Sequence, residues 1–199
     1  MDEPLKIQIL IGSTRPNRFS EKPAQYLFEE LKKKEGLEAE LLDLRDWPLP
    51  FFDEPISVGA NKGIYVNPLG KKWADKIGEG DGYIMVTPEY NHGYSAVLKN
   101  ALGWVYREWN KKPVGFVSYG NSFGARAIEQ LRQVVIELKM VPMFNSIQIP
   151  SEVYLAVREH MPPVSPDLFN PLREGRRGDI VERFFAELID YATLLKAAR

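Results

Sequence analysis

A chain of 199 residues with 44% hydrophobic and 27% charged side chains has the makeup of one compact globular domain. It has no cysteine and two histidines, which excludes disulfides and thiolate chemistry and leaves little for a zinc site. A net charge of −1 supplies no basic field for nucleic acid or anionic membrane. No apolar run approaches the ~20 residues of a membrane span, and the amino terminus lacks a signal-peptide pattern, so a cytoplasmic location is expected.

Leu5 to Ile11 forms an apolar strand interrupted at Gln8. The loop Gly12-Ser13-Thr14-Arg15-Pro16-Asn17-Arg18-Phe19-Ser20 leads into a helix over 21–34, with Ala24, Leu27, Phe28 and Leu31 on one face. The unpaired N–H groups and dipole at that helix start favour an anion. The hydroxyls of Ser13, Thr14 and Ser20 and the guanidiniums of Arg15 and Arg18 suit a phosphate monoester. Ser20 equally reads as a helix cap, and the two roles are compatible. The loop has neither a Walker A ending nor the Gly-x-Gly-x-x-Gly of a dinucleotide site. A second strand over 37–44 and a loop with many prolines over 47–68 follow. The stretch 51–68 is long for a plain connection and suggests a lid or a partner contact. Residues 71–77 read as a short helix and 82–86 as a third strand.

Thr87-Pro88-Glu89-Tyr90-Asn91-His92-Gly93 leaves that strand directly. Pro88 restricts its own φ and the conformation of Thr87, so the amides beyond it can be aimed at a flat heteroaromatic ring. Pro, Asn and Gly also make ordinary turns. A helix over 96–109 carries Trp104, Tyr106 and Trp109, and Trp104 with Val105 and Trp109 forms a packing stripe suited to the core or to a subunit face. A fourth strand over 113–118 ends in Ser118-Tyr119-Gly120-Asn121-Ser122-Phe123-Gly124, where the glycines permit close approach and Tyr119 offers an aromatic face. A helix over 123–138, a fifth strand over 144–149, a proline-rich loop over 150–178 and a helix over 179–198 complete the chain. The basic cluster Arg173, Arg176 and Arg177 reads as a solvated loop or a subunit contact.

Five short apolar strands alternating with helices predict an α/β fold with a parallel sheet covered on both faces. The count is compatible with the flavodoxin-like order 2-1-3-4-5. The loops after strands one, three and four would then converge on the carboxyl edge, where ligands bind in open α/β sheets. One would hold a phosphate and two would present ring surfaces, an arrangement suited to a mononucleotide with a large flat ring.

The segments Gly12-Ser13-Thr14-Arg15-Pro16, Pro88-Glu89-Tyr90-Asn91-His92-Gly93, Leu98-Lys99-Asn100-Ala101-Leu102 and Lys112 to Gly120, in that order, resemble the NADPH-dependent FMN reductase family of flavodoxin-like proteins. The resemblance continues through Gly124-Ala125-Arg126-Ala127 and Gln130-Leu131-Arg132, and covers residues 5–150. It implies bound FMN, electrons from NADPH or NADH, a small-molecule electron acceptor (a quinone, azo dye, metal oxyanion or free flavin) and a homodimer or homotetramer. The whole chain, 1–199, reads as a single FMN-binding domain with a C-terminal loop and helix in 150–199.

By position, the resemblance implies Ser13, Arg15 and Ser20, with Arg18 a weaker candidate, on the FMN phosphate. It implies Pro88, Glu89, Tyr90 and Asn91 along the ribityl chain and ring edge, and Ser118, Tyr119, Gly120 and Gly124 along the opposite side of the ring. Gly103 and Asn121 stand where such proteins commonly have aspartate and glycine. No catalytic side chain is implied, because the cofactor carries the chemistry. His92 reads as a loop-ordering or subunit-contact residue and His160 as solvated. Two other readings are a flavodoxin-type electron carrier, against which the net charge of −1 argues, and a non-redox module for another phosphorylated ligand.

Overall fold

A computed structural model describes residues 3–161, 163–175 and 178–199; Arg176 and Arg177 of the basic cluster lie outside them. The strands β1 (Leu5–Ile11), β2 (Leu37–Asp43), β3 (Gly82–Pro88), β4 (Pro113–Tyr119) and β5 (Val141–Pro142) pair in parallel in the order β2-β1-β3-β4-β5. This is the expected flavodoxin-like order. A further fragment, β6 (Ile147–Gln148), also pairs in parallel with β4.

The helices are α1 (Glu21–Lys32), α2 (Pro68–Gly78), α3 (Ala96–Gly103), α4 (Ala125–Glu137), α5 (Ser151–Arg158), α6 (Asn170–Arg173) and α7 (Ile180–Ala197). Side chains alternate across the central strands, as period-2 geometry demands. Ile7, Ile9, Ile11, Ile84 and Val86 enter one core beneath α1, α5 and α7. Leu10, Tyr83, Met85 and Phe116 enter the other with residues of α2, α3 and α4. Gln8 is polar within this pattern because its amide bridges Glu40 on β2 (3.0 Å) and the Lys76 carbonyl of α2 (2.9 Å).

The structure corrects three expectations. The fifth strand, expected over 144–149, is split: Pro142 donates no ladder hydrogen bond, and the chain swings out before returning at Ile147. In the detour, the Glu187 carboxylate accepts from the N–H groups of Phe144 (2.8 Å) and Asn145 (2.9 Å), and the Phe144 ring is 87% exposed.

The helix expected over 96–109 stops at Gly103 and resumes as a 3-10 turn over Arg107–Trp109. Trp104, Val105 and Trp109 are fully buried, which makes the stripe core. Their indoles donate to carbonyls, Trp104 to Pro50 (2.7 Å) and Trp109 to Leu102 (3.3 Å). The stretch 150–178, expected as a loop, contains α5, a 3-10 turn over Pro166–Phe169 and α6. Val153 and Val157 of α5 are buried at a spacing of one helical turn, and Phe169 stacks on Tyr26 of α1 with ring centroids 4.3 Å apart.

At the amino edge of the sheet, Asp81 joins the chain's two ends. Its carboxylate accepts from the Lys6 N–H (3.1 Å), from Lys196 Nζ (2.8 Å) and from Arg199 Nη2 (2.7 Å). Burial alone would push this carboxyl up, but the two cations and the amide outweigh it and hold it below the usual carboxylate range. A depressed folded-state value stabilises the fold above the unfolded pKa of about 3.9 and is lost as pH falls through the folded value. Asp81→Asn should therefore cost about 1–3 kcal/mol at neutral pH, with the gap to the parent closing below about pH 4. Urea unfolding across a pH series measures both.

Candidate cofactor site

Three chain segments meet at the carboxyl edge of the sheet because the strand register carries them there. Thr87 lies opposite Ser118 and Pro88 opposite Tyr119, and the Glu89 N–H extends the pairing to the Tyr119 carbonyl (2.8 Å). Beyond them opens a cavity of about 580 Å³, within the ordinary range for small-molecule sites. The first loop lines it with Arg15, Asn17, Arg18 and Phe19, the second with Pro88, Glu89 and Tyr90, and the third with Tyr119, Gly120 and Asn121. Ile149 and one face of α5 close the remaining side.

The first loop is built around a buried guanidinium. Both Arg18 Nη groups bond the Asp43 carboxylate at the end of β2, and Nη1 also donates to the Ser13 carbonyl (2.8 Å). Arg45 donates to the next two carbonyls, Thr14 (3.4 Å) and Arg15. Three consecutive carbonyls thus have their negative ends covered by cations, which favours an anion at this loop. Arg15 itself is exposed, with its guanidinium 5.9 Å from the Tyr90 ring. Ser13 is buried, its hydroxyl 3.3 Å from that of Tyr90.

Ser20 is fully buried at the start of α1; its hydroxyl does not cap the helix, and the Tyr119 phenol is its polar neighbour. A serine at a helix amino end, in the same loop as Arg15 and Arg18, fits a phosphate group.

The second loop is a tight turn. Tyr90 and Gly93 exchange backbone hydrogen bonds (2.8 and 3.1 Å), and the two residues between them, Asn91 (φ 49°) and His92 (φ 73°), are both left-handed. That conformation is uncommon outside glycine, though asparagine and histidine adopt it more readily than most residues. Gln130 holds the turn by donating to the His92 carbonyl (3.0 Å). Glu89 is not a free base: its buried carboxylate accepts from the Arg126 N–H (3.2 Å) and Nη1 (2.9 Å).

In the third loop, Gly120 (φ 151°) and Gly124 (φ 76°) occupy backbone that disfavours L side chains. A Cβ at Gly120 would lie 2.9 Å from that of Glu89, so the second and third loops touch as closely as backbone allows. Ser118 is buried and donates to the Phe123 carbonyl (3.0 Å).

Of the residues expected at the site, Arg15, Arg18, Pro88, Glu89, Tyr90, Tyr119 and Gly120 line the cavity. Ser13 and Ser20 lie buried in the first loop, Ser118 and Gly124 brace the third, and Asn91 is exposed at the turn. His92 and His160 are both exposed. Sequence reasoning missed Phe19, which packs against two nearly parallel tyrosines, 4.7 Å from Tyr119 and 4.6 Å from Tyr154. It also missed the whole contribution of α5. The signal available was the helical spacing of Val153 and Val157 within a stretch otherwise marked by prolines. Burial pushes the Tyr119 phenol well up, so it stays protonated at physiological pH and keeps its donor.

The NADPH-dependent FMN reductase family model matches residues 5–152. An NAD(P)H-dependent FMN reductase of Schizosaccharomyces pombe is 37% identical over 149 residues, 74% of each chain. An NADPH:quinone oxidoreductase of Arabidopsis thaliana is 33% identical over 141 residues, 68% of this chain and 69% of the relative. Among solved structures, the flavoenzyme NAD(P)H:(acceptor) oxidoreductase FerB from Paracoccus denitrificans superposes with a TM-score of 0.56 at 18% identity, over 97% of this chain and 94% of the other, a likeness of fold. The chain belongs to the NADPH-dependent FMN reductase family. It is an oxidoreductase whose cofactor is FMN and whose reductant is NAD(P)H.

The geometry separates the two arginines of the first loop. Arg18→Met leaves the Asp43 carboxylate without its cation and opens the loop, and should destabilise the flavin-free protein by about 2–3 kcal/mol. Thermal and urea unfolding of flavin-free protein measure this; an unchanged midpoint would mean that the pair does not hold the loop.

Proposed function

We propose that the cavity at the carboxyl edge holds FMN, with the phosphate at the first loop and the ring between the second and third. The observation that carries this reading is one cavity lined by Arg15 and Arg18 of the first loop on one side and by Pro88 to Tyr90 and Tyr119 to Gly120 on the others. Arg15 and the Ser20 hydroxyl bind the phosphate, while Ser13 positions Tyr90 through its hydroxyl contact. Arg18 shapes the loop from beneath.

Pro88, Glu89, Tyr90 and Asn91 face the ribityl chain and ring edge. The Glu89–Arg126 pair fixes their backbone, so the amides aimed at the ring do not reorganise when it binds. Tyr119 and Gly120 flank the other side, with Ser118 and Gly124 as their support. Bound FMN supplies hydride acceptance from the reduced nicotinamide and two-electron transfer to an oxidant.

The acceptor in this reading is a small planar oxidant of the quinone or azo type, since an open cavity admits a flat molecule after the nicotinamide leaves. The Arabidopsis relative, an NADPH:quinone oxidoreductase, supports the quinone. The whole chain acts as one FMN-binding unit at a cytoplasmic location, where NAD(P)H is at hand. A homodimer or homotetramer is supported by the apolar side chains exposed between 51 and 66, Phe51 (83%), Ile64 (70%) and Val66 (72%) among them. A one-electron carrier would be expected to present a strongly acidic surface, whereas the net charge is −1.

Arg15→Ala should weaken FMN binding by roughly 10- to 100-fold through loss of a charge-assisted contact, with no effect on the fold. Titration of flavin-free protein with FMN measures it, and unchanged affinity would remove Arg15 from the site. In the parent protein, retained flavin absorption should bleach promptly on anaerobic addition of NADPH and return on addition of a quinone.

A further inference from the structure

Helix α5 begins at Ser151 and the family match ends at 152, so most of the helix lies beyond the matched residues. Its side chains divide cleanly. Val153 and Val157 are buried in the core, whereas Ser151, Tyr154, Leu155 and Arg158 all line the cavity. Positions i, i+3, i+4 and i+7 make one continuous stripe of an α-helix. The helix therefore presents a ligand-facing stripe of serine, tyrosine, leucine and arginine across the open side of the site.

The direction of the helix fixes which end of the ligand each residue meets. Its amino end follows Ile149, whose N–H pairs with the Ser118 carbonyl at the ring end of the cavity. Its carboxyl end lies against the start of α1. There Lys22, a buried residue one helical position beyond Glu21, donates through Nζ to the carbonyls of Val157 (3.1 Å) and Arg158. Lys22 thereby caps the last turn of α5 and anchors it beside the first turn of α1, two positions after Ser20. Tyr154 adds a second anchor through its contact with Phe19 of the same loop.

Arg158 is thus brought to the phosphate end of the cavity, which Arg15, Asn17 and Arg18 also line. Its Nε bonds Glu159 (2.7 Å), but both side chains are well exposed (49% and 73%), and such a pair contributes little. Exchange of that partner for a phosphate is inexpensive, and the planar fork suits two phosphate oxygens.

We propose that α5 is a clasp on the FMN phosphate: Arg158 is a second phosphate ligand opposite Arg15, and Lys22 is the positioning residue that seats it. The proposal rests on the placement of the phosphate at the first loop. In it the second and third loops hold the ring, while the first loop and α5 together discriminate phosphorylated from unphosphorylated flavin.

The test compares FMN with riboflavin, which has the same ring and no phosphate, by fluorescence titration of flavin-free protein. Arg158→Ala should weaken FMN roughly tenfold and leave riboflavin unchanged; Arg158→Lys should restore part of the difference. Lys22→Met should weaken FMN in the same selective way and also speed amide exchange in 151–158, without raising exchange in the sheet. Unchanged FMN affinity in Arg158→Ala, or an equal loss for FMN and riboflavin, would overturn the clasp while leaving the FMN site standing. A parent protein that binds FMN no better than riboflavin would instead overturn the phosphate placement, and the clasp with it.

Discussion

The ion pair between Arg18 and Asp43 is the interaction on which the rest of the site depends. It ties the loop after β1 to the end of β2 and draws the Ser13 carbonyl into the same network. With the guanidinium inside the loop, the backbone must wrap around it, and that wrapping leaves Arg15 outside and Ser20 buried. A loop of hydroxyls and small residues has no reason of its own to hold one shape in water. A charged group removed from solvent, whose alternative is an uncompensated buried charge, gives it one.

Net charge conceals the electrostatics of the site. The chain is close to neutral, yet Arg15, Arg18, Arg45, Lys22 and Arg158 gather around the start of α1. Three of them, Arg18, Arg45 and Lys22, spend their donors on backbone carbonyls. They neutralise the negative ends of peptide units and of α5 without placing a free charge in the cavity. Arg15 and Arg158 face it. This division keeps the binding field local and the protein's outer surface unbiased toward polyanions.

The second and third loops are held together by backbone proximity. The Glu89 N–H reaches the Tyr119 carbonyl, and Gly120 allows the second and third loops to meet. Arg126 and Gln130, both on α4, clamp Glu89 and the His92 carbonyl, so one helix holds the second loop at both of its ends. The left-handed pair Asn91 and His92 costs conformational energy, and those clamps offset it.

Much of this was legible in the chain. Apolar runs separated by amphipathic helices dictate a parallel sheet, because strands buried on both faces must be apolar throughout and parallel strands need long crossovers. The three glycine-, proline- and hydroxyl-rich loops announced themselves because backbone chemistry of that kind is local. Local sequence could not give the role of Arg18, since its partner Asp43 is on another strand and a buried arginine reads like an exposed one in a list of residues. It could not give the split fifth strand, where Glu187 of a distant helix takes the N–H groups of Phe144 and Asn145. Nor could it give α5, whose short amphipathic pattern lies among prolines and gains its meaning from Lys22 and Phe19, more than a hundred residues earlier. The sequence by itself determined the elements, the sheet order compatible with them and the loops rich in glycine, proline and hydroxyls at the sheet's carboxyl edge, because periodicity and turn preference act between near neighbours. Tertiary structure alone decided which cation is buried, which faces the ligand and which helix closes the site, because burial and charge pairing are set by residues that meet only when the chain has folded.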